Sequence, residues 1–199
     1  MATAMPLALP PAPPPPRPRV LMAATGLSIA GLTMFFAGLL GTYFAVRASA
    51  GGTTSAWVPE EASLPLVQGN MALVTILMSA VTMQWAVYAM GRNDRQNSYV
   101  ALGLTFVLGL AYINSLAFYI SQLGIGVADT TYGVLTYGIL GSHMALMIAA
   151  LVFVALMAFR ALGGQFSARE KEGLAAAAMF WHFTVVVFIG VVATVVWVK

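Results

Sequence analysis

Two histidines stand out as candidates for chemistry in a chain that is otherwise almost wholly apolar. His143 lies about ten residues past Gly133, inside one charge-free run, and His182 about nine past Gly173, inside the next. At 1.5 Å per residue each sits ~13–15 Å along a helix. Antiparallel helices would bring both imidazoles to one depth, where they could sandwich the iron of a b-type haem. The alternative is that each imidazole hydrogen-bonds a neighbouring helix, a lipid or a partner subunit. Met147, one turn from His143, raises copper, because imidazole and thioether together suit that metal. With twelve Met among the 199 residues, packing is the stronger reading for Met147.

The rest of the inventory excludes more than it offers. There is no cysteine, so a Cys-ligated iron–sulfur cluster, a thiolate zinc site, a Cys nucleophile and a disulfide are all ruled out. No Gly-rich phosphate loop is present, since Gly124-x-Gly126 reads as a tight turn. The formal charge of +3 makes no case for nucleic-acid binding. No Asp, Glu, Lys or Arg falls inside an apolar run, so an ion-coupled transporter or proton pump would lack its usual intramembrane group. No internal repeat supports an inverted-repeat transporter.

The elements that must position the histidines follow from composition. The chain is 60% hydrophobic and only 8% charged, where a soluble domain has about 25%. Five charge-free segments each exceed the ~20 residues that cross a bilayer. They predict an all-α, polytopic membrane protein, a bundle of five transmembrane helices over about 20–46, 64–90, 99–123, 133–159 and 173–198. Residues 1–19 hold eight of the ten prolines and read as an extended tail that cannot pack a core. Residues 20–199 form the membrane domain. The first segment has arginines before it and Ala48-Ser49-Ala50 after it, as a signal peptide would. It is far longer than a ~7–15-residue signal core and reads as a retained helix.

Cations set the expected orientation. Arg17, Arg19, Arg92, Arg95, Arg160, Arg169 and Lys171 fall on one side, Arg47 and Lys199 on the other. The N-terminus is therefore expected in the cytoplasm and the C-terminus outside, with Trp57 and Trp197 at the outer interface. Short connections force antiparallel neighbours. Small residues spaced by four are expected at helix contacts: Ala37, Gly41 and Ala45; Gly138 and Ser142; Gly141, Ala145 and Ala149; Gly190 and Thr194. Gln84-Trp85 and Tyr112 with Asn114-Ser115 read as interhelical hydrogen-bonding sites.

Three motifs in this order resemble a known family. Met34-Phe35-Phe36-Ala37-Gly38-Leu39, followed by Tyr43-Phe44 and Arg47, resembles the opening helix of subunit III of bacterial haem–copper oxidases in their short, five-helix form. Gly141-x-His143 resembles the first half of that family's Gly-x-His-x-x-His element, and Trp181-His182-Phe183 its last-helix Trp-His-Phe element. The resemblance covers about residues 20–199. The chain also departs from the pattern. Leu32 stands where the family has a glutamate before the Met-Phe-Phe run, and Leu146 where a second His would complete the helix-four element. Val185 replaces an aspartate, and Ile113 stands about where helix three carries a glutamate.

The resemblance implies a non-catalytic subunit of a respiratory complex. It implies no cofactor in this chain, with haem and copper held by partner subunits I and II. It further implies bound phospholipid, a bacterial plasma-membrane location and membership of a larger respiratory assembly. Carried over residue by residue, it marks His143, Trp181 and His182 for helix–helix, lipid or subunit contacts, and Arg47 for a phosphate contact at the outer interface. The lost acids weigh against a part in proton uptake. A bis-His membrane cytochrome, and an accessory subunit of a quinol oxidase or nitric oxide reductase, are the alternatives.

Overall fold

Apolar side chains without interruption favour helix in a bilayer, because only a helix satisfies every backbone group within one segment. A computed structural model describes residues 19–197, without the side chains of Ser55 and Ala56. The proline-rich tail, apart from Arg19, and Lys199 lie outside the described residues. The helices are α1 (Val20–Ser49), α2 (Thr54–Trp57), α3 (Leu66–Gly91), α4 (Arg95–Ser121), α5 (Thr131–Leu162) and α6 (Glu172–Val192). A π-helical turn, Ala193–Trp197, continues α6. Five helices are long and apolar enough to span a membrane, and no strand occurs among the described residues. The one-turn α2 interrupts a loop expected to be irregular.

Local signals set the helix starts. The Asp94 carboxylate caps α4, accepting from the Asn97 backbone N–H at 3.2 Å and its side-chain amide at 2.6 Å. These bonds from Asn97 hold the Asp94 carboxyl below its ordinary value of 3.8. Thr130 caps α5 by accepting from Gly133 N–H at 3.0 Å. Glu172 serves a helix other than its own: its Oε1 accepts from Met22 N–H, in the first turn of α1, at 3.1 Å.

The helices alternate in direction, giving the bundle an Arg47 end and an Arg92 end. At the Arg92 end, Asn93 Oδ1 accepts from Ala168 N–H at 2.8 Å, and the Tyr99 hydroxyl donates to Ala161 O at 2.9 Å. Arg92 lies over the Tyr88 ring at 4.4 Å, its guanidinium at the rim and its stem along the helix. At the Arg47 end, Ser63 N–H donates to Leu123 O at 2.9 Å and the Tyr137 hydroxyl to Ile125 O at 2.8 Å. Gly124 turns there with φ +71, and a Cβ would meet Glu61 O at 3.1 Å, so the turn needs glycine twice over.

Helix α6 forms the centre, against α1, α3 and α5, while α3 and α4 pair as a hairpin. In its most apolar window 56% of residues are buried, against 11% for α1. Helix α1 is thus a peripheral rod resting on α6, with Leu40 facing Gly190. The small-residue stripes are redistributed accordingly. Ala37, Gly41 and Ala45 are exposed, as are Gly138, Gly141, Ala145 and Ala149. Nothing lies within 4 Å of a Cβ added at Gly38, Gly41, Gly138 or Gly141. These stripes point out of the chain, contrary to the expectation that they seat its own helices. Only Gly190 and Thr194 lie against the bundle. The close approach occurs instead at Gly109, where a Cβ would come within 2.7 Å of both Leu151 Cδ1 and Trp181 Cη2.

Gly109→Ala is therefore expected to destabilise the purified protein by about 1–3 kcal/mol, the cost of overpacking a filled core. Gly38→Ala, in open space, is expected to be neutral or slightly stabilising. Thermal unfolding in detergent, followed by circular dichroism, compares the two.

Candidate functional site

A polar side chain in hydrocarbon must find its partner inside the protein, and His143 finds two. It is fully buried. The Tyr112 hydroxyl of α4 lies 2.8 Å from His143 Nδ1, and the Thr184 carbonyl of α6 lies 2.9 Å from Nε2. A carbonyl can only accept, so Nε2 carries the proton and Nδ1 accepts from the tyrosine. One imidazole thus joins α5 to both α4 and α6. Phe188 and Phe36 flank it, with centroids at 5.0 Å and 6.2 Å.

A second tie runs through Trp181, also fully buried, whose indole N–H donates to Ser79 Oγ on α3 at 3.1 Å. The Ser79 hydroxyl donates in turn to Ile76 O at 2.6 Å. Thr184 donates to Trp181 O at 2.7 Å and also lies 3.7 Å from Met147 Sδ. Met147 is thereby a core contact of Thr184. Between α3 and α4, the hydroxyls of Thr82 and Thr105 are 2.8 Å apart, and Ser98 donates to Ala86 O at 3.0 Å.

The two histidines face different surroundings. His182 is half-buried, and its Nδ1–H donates to Ala178 O, one turn back, at 2.6 Å. It borders an open groove lined by Ala80, Val81, Gln84, Trp85 and Tyr88. Both His143 nitrogens bond protein partners, Tyr112 and Thr184. Among the described residues no three His, Cys, Asp or Glu gather as metal ligands. His143 and Trp181 are 0% exposed and bond helices of their own chain. His182 alone of the three borders the surface.

Other expectations are also revised. Tyr112 is an interhelical hydrogen-bonding residue, but Ser115 bonds Ala111 O in its own helix and Asn114 is exposed. Gln84 and Trp85 face the groove rather than another helix. Trp57 is turned inward, 6% exposed, whereas Trp197 is 54% exposed and donates to Asn70 Oδ1 at 3.1 Å. Arg47 is 9% exposed rather than lying open at an interface. Leu146 and Val185, at positions where the resembled family has polar groups, are buried at 5% each. Sequence reasoning missed Ser79 and Thr184, whose partners are 102 and 41 residues away, and no spacing could have linked them.

Removing the hydroxyl in Tyr112→Phe is expected to cost about 1 kcal/mol, and His143→Ala about 2–4 kcal/mol by adding a cavity and an unpaired phenol. A double-mutant cycle should give a coupling of about 0.5–1.5 kcal/mol between them. His182→Ala is expected to change stability by under about 0.5 kcal/mol. The check is unfolding in detergent by sodium dodecyl sulfate titration.

Comparison with known proteins bears on the same segments. A family model described as cytochrome c oxidase subunit III matches residues 20–199. A Nocardia farcinica protein named probable cytochrome c oxidase subunit 3 is 28% identical over 189 residues, covering 92% of this chain and 90% of its own length. A Corynebacterium diphtheriae cytochrome c oxidase subunit 3 is 28% identical over 187 residues, with the same coverage. A carp (Cyprinus carpio) subunit 3 is 29% identical over 122 residues, covering 61% of this chain and 47% of its own. All five membrane-length helices lie within the matched span, and with them the His143 and Trp181 ties, so the chain belongs to the cytochrome c oxidase subunit III family.

Proposed function

We propose that this chain is a non-catalytic membrane subunit of a respiratory haem–copper oxidase that takes electrons from cytochrome c. It packs against catalytic subunit I, and the haems and copper reside in subunits I and II. Helix α1 carries this reading. Met34, Phe35 and Phe44 are 78%, 50% and 45% exposed beside the open stripe of Ala37, Gly41 and Ala45. Small residues let another helix approach closely, which is the main source of attraction between helices in lipid. The hydroxyls on this helix raise no barrier, because Ser28, Thr33 and Thr42 donate to carbonyls four residues back.

Phospholipid binding is part of the same proposal. An apolar groove at the Arg92 end, lined by Leu102, Gly103, Phe106, Ala155, Phe159 and Leu162, suits an acyl chain. The orientation follows from charge. Six of the seven described Arg and Lys lie at the Arg92 end, which we place in the cytoplasm of a bacterial plasma membrane. A membrane cytochrome is the weaker reading, since His143 has no free nitrogen.

Affinity purification from the native membrane is expected to bring down a haem-bearing partner. Gly41→Ile should reduce its recovery severalfold while leaving the unfolding midpoint of the isolated chain unchanged. Full recovery with that variant would remove α1 as the packing face, and a Soret band on the isolated chain would end the non-catalytic reading. Because the chain has no cysteine, Gln96→Cys and Glu60→Cys give clean single labels. An impermeant maleimide is expected to reach position 60 in intact cells and position 96 only after lysis.

A further inference from the structure

On the surface between α3 and α6, His182 borders the groove lined by Ala80, Val81, Gln84, Trp85 and Tyr88. Helix α6 starts at Glu172 and α3 ends at Gly91, both at the Arg92 end. At 1.5 Å per residue, His182 lies ~15 Å from that end and Gln84 ~10 Å. Helix α3 is ~39 Å long against ~30 Å of hydrocarbon, so both side chains fall within the lipid-facing span. Gln84 is exposed there, and Trp85 and Tyr88 are 40% and 55% exposed. Further along the same face of α3, Val74 and Met78 are 58% and 53% exposed, so the surface beyond the groove is apolar.

The hydrogen-bonding capacity of this groove is specific. The Nδ1–H of His182 is committed to Ala178 O at 2.6 Å, which leaves Nε2 as an acceptor with no proton to give. An acceptor in hydrocarbon calls for a donor. Gln84, on the neighbouring helix, adds an amide that both accepts and donates. Trp85 supplies a flat aromatic wall. A phospholipid brings only methylene groups to this depth and meets none of these needs. A sterol-like alcohol has a single hydroxyl for polar groups on two helices. The groove offers about 520 Å³, within the range of small-molecule sites.

We propose that this groove binds a lipid-soluble hydroquinone, an aromatic ring with two para hydroxyls and a polyprenyl tail. One hydroxyl donates to His182 Nε2 and the other meets the Gln84 amide, so the ring bridges α6 and α3 with Trp85 along it. The tail follows the apolar face of α3 past Met78 and Val74. The ring enters sideways from the bilayer. Its reduced form is preferred, because the oxidised ring has only carbonyl acceptors and would set one against Nε2. The ring is held and not oxidised, so no redox step falls to this chain. The site is separate from the α4–α5 groove and from the open face of α1, and does not depend on the partnership with an oxidase.

The test uses the full chain purified in detergent. A decyl-substituted 1,4-naphthohydroquinone, kept reduced with dithionite, is titrated alongside its oxidised form and its dimethyl ether. The ether keeps the shape and removes both donors. Isothermal titration calorimetry and native mass spectrometry are the readouts. The hydroquinone is expected to bind one to one, at least about tenfold more tightly than the ether and severalfold more tightly than the quinone. His182→Ala and Gln84→Leu should each weaken it at least about fivefold, the loss of one hydrogen bond, with the unfolding midpoint unchanged. Should either fold poorly, Val81→Trp decides: it fills the groove from a position 65% exposed and should abolish binding without removing a hydrogen bond. No binding of the hydroquinone, equal affinity for the ether, or undiminished binding in the variants overturns the proposal. So does failure of the hydroquinone to bind the assembly purified from the native membrane, which would mean that a partner helix covers the groove.

Discussion

The contact between His143 and the Thr184 carbonyl is the constraint on which the bundle depends. In a bilayer the hydrophobic effect does not drive helices together, since lipid is as apolar as leucine. What remains is close packing and the need of each buried polar atom for a partner. His143 answers that need across three helices at once, because an imidazole has a donor and an acceptor on opposite edges. Its two bonds set the rotation of α5 against α4 and α6. The Trp181 to Ser79 bond then sets α6 against α3. With its faces committed in this way, α6 becomes the axis of the molecule and α1 a rod laid against it.

Polar groups sort into two kinds under this constraint. Those that bond their own helix, such as Thr33 and Thr42 through carbonyls four residues back, can face outward at little cost. Those that reach another helix, such as Thr82 toward Thr105, lie buried and tie elements together. This division explains how a helix as exposed as α1 can carry hydroxyls and still present a smooth apolar face. At the Arg47 end the rings of Tyr43, Trp57 and Tyr132 meet edge to face, with centroids 5.3 Å and 5.7 Å apart.

Membership in the subunit III family and the apolar character of the centre belong to one picture. Leu146 and Val185 pack where the family pattern has polar groups, and the cavity beside Tyr119 and Phe188 is lined by Gly69, Leu116, Leu140 and valines. A core built this way can support a neighbour mechanically. Phe36, His143 and Trp181 all act as packing and hydrogen-bonding devices in this core.

How much was legible beforehand depended on the range of the interaction. The five spans, their alternation and the sorting of cations to one end were readable, because hydropathy and charge act residue by residue on the transfer into lipid. That His143 and Trp181 lie deep in their helices was readable from their placement in the chain. Their partners were not, since Tyr112, Thr184 and Ser79 are ordinary residues until folding sets them opposite. The direction of the small-residue stripes was hidden for the same reason: a period of four names a face of a helix but not what that face meets. The gathering of Arg47, Trp57, Tyr119 and Tyr132 also arose only when four elements converged. Local physics acting on each segment thus determined the helices, while the rotation of each helix about its axis, and with it every contact between distant residues, was decided by the tertiary fold.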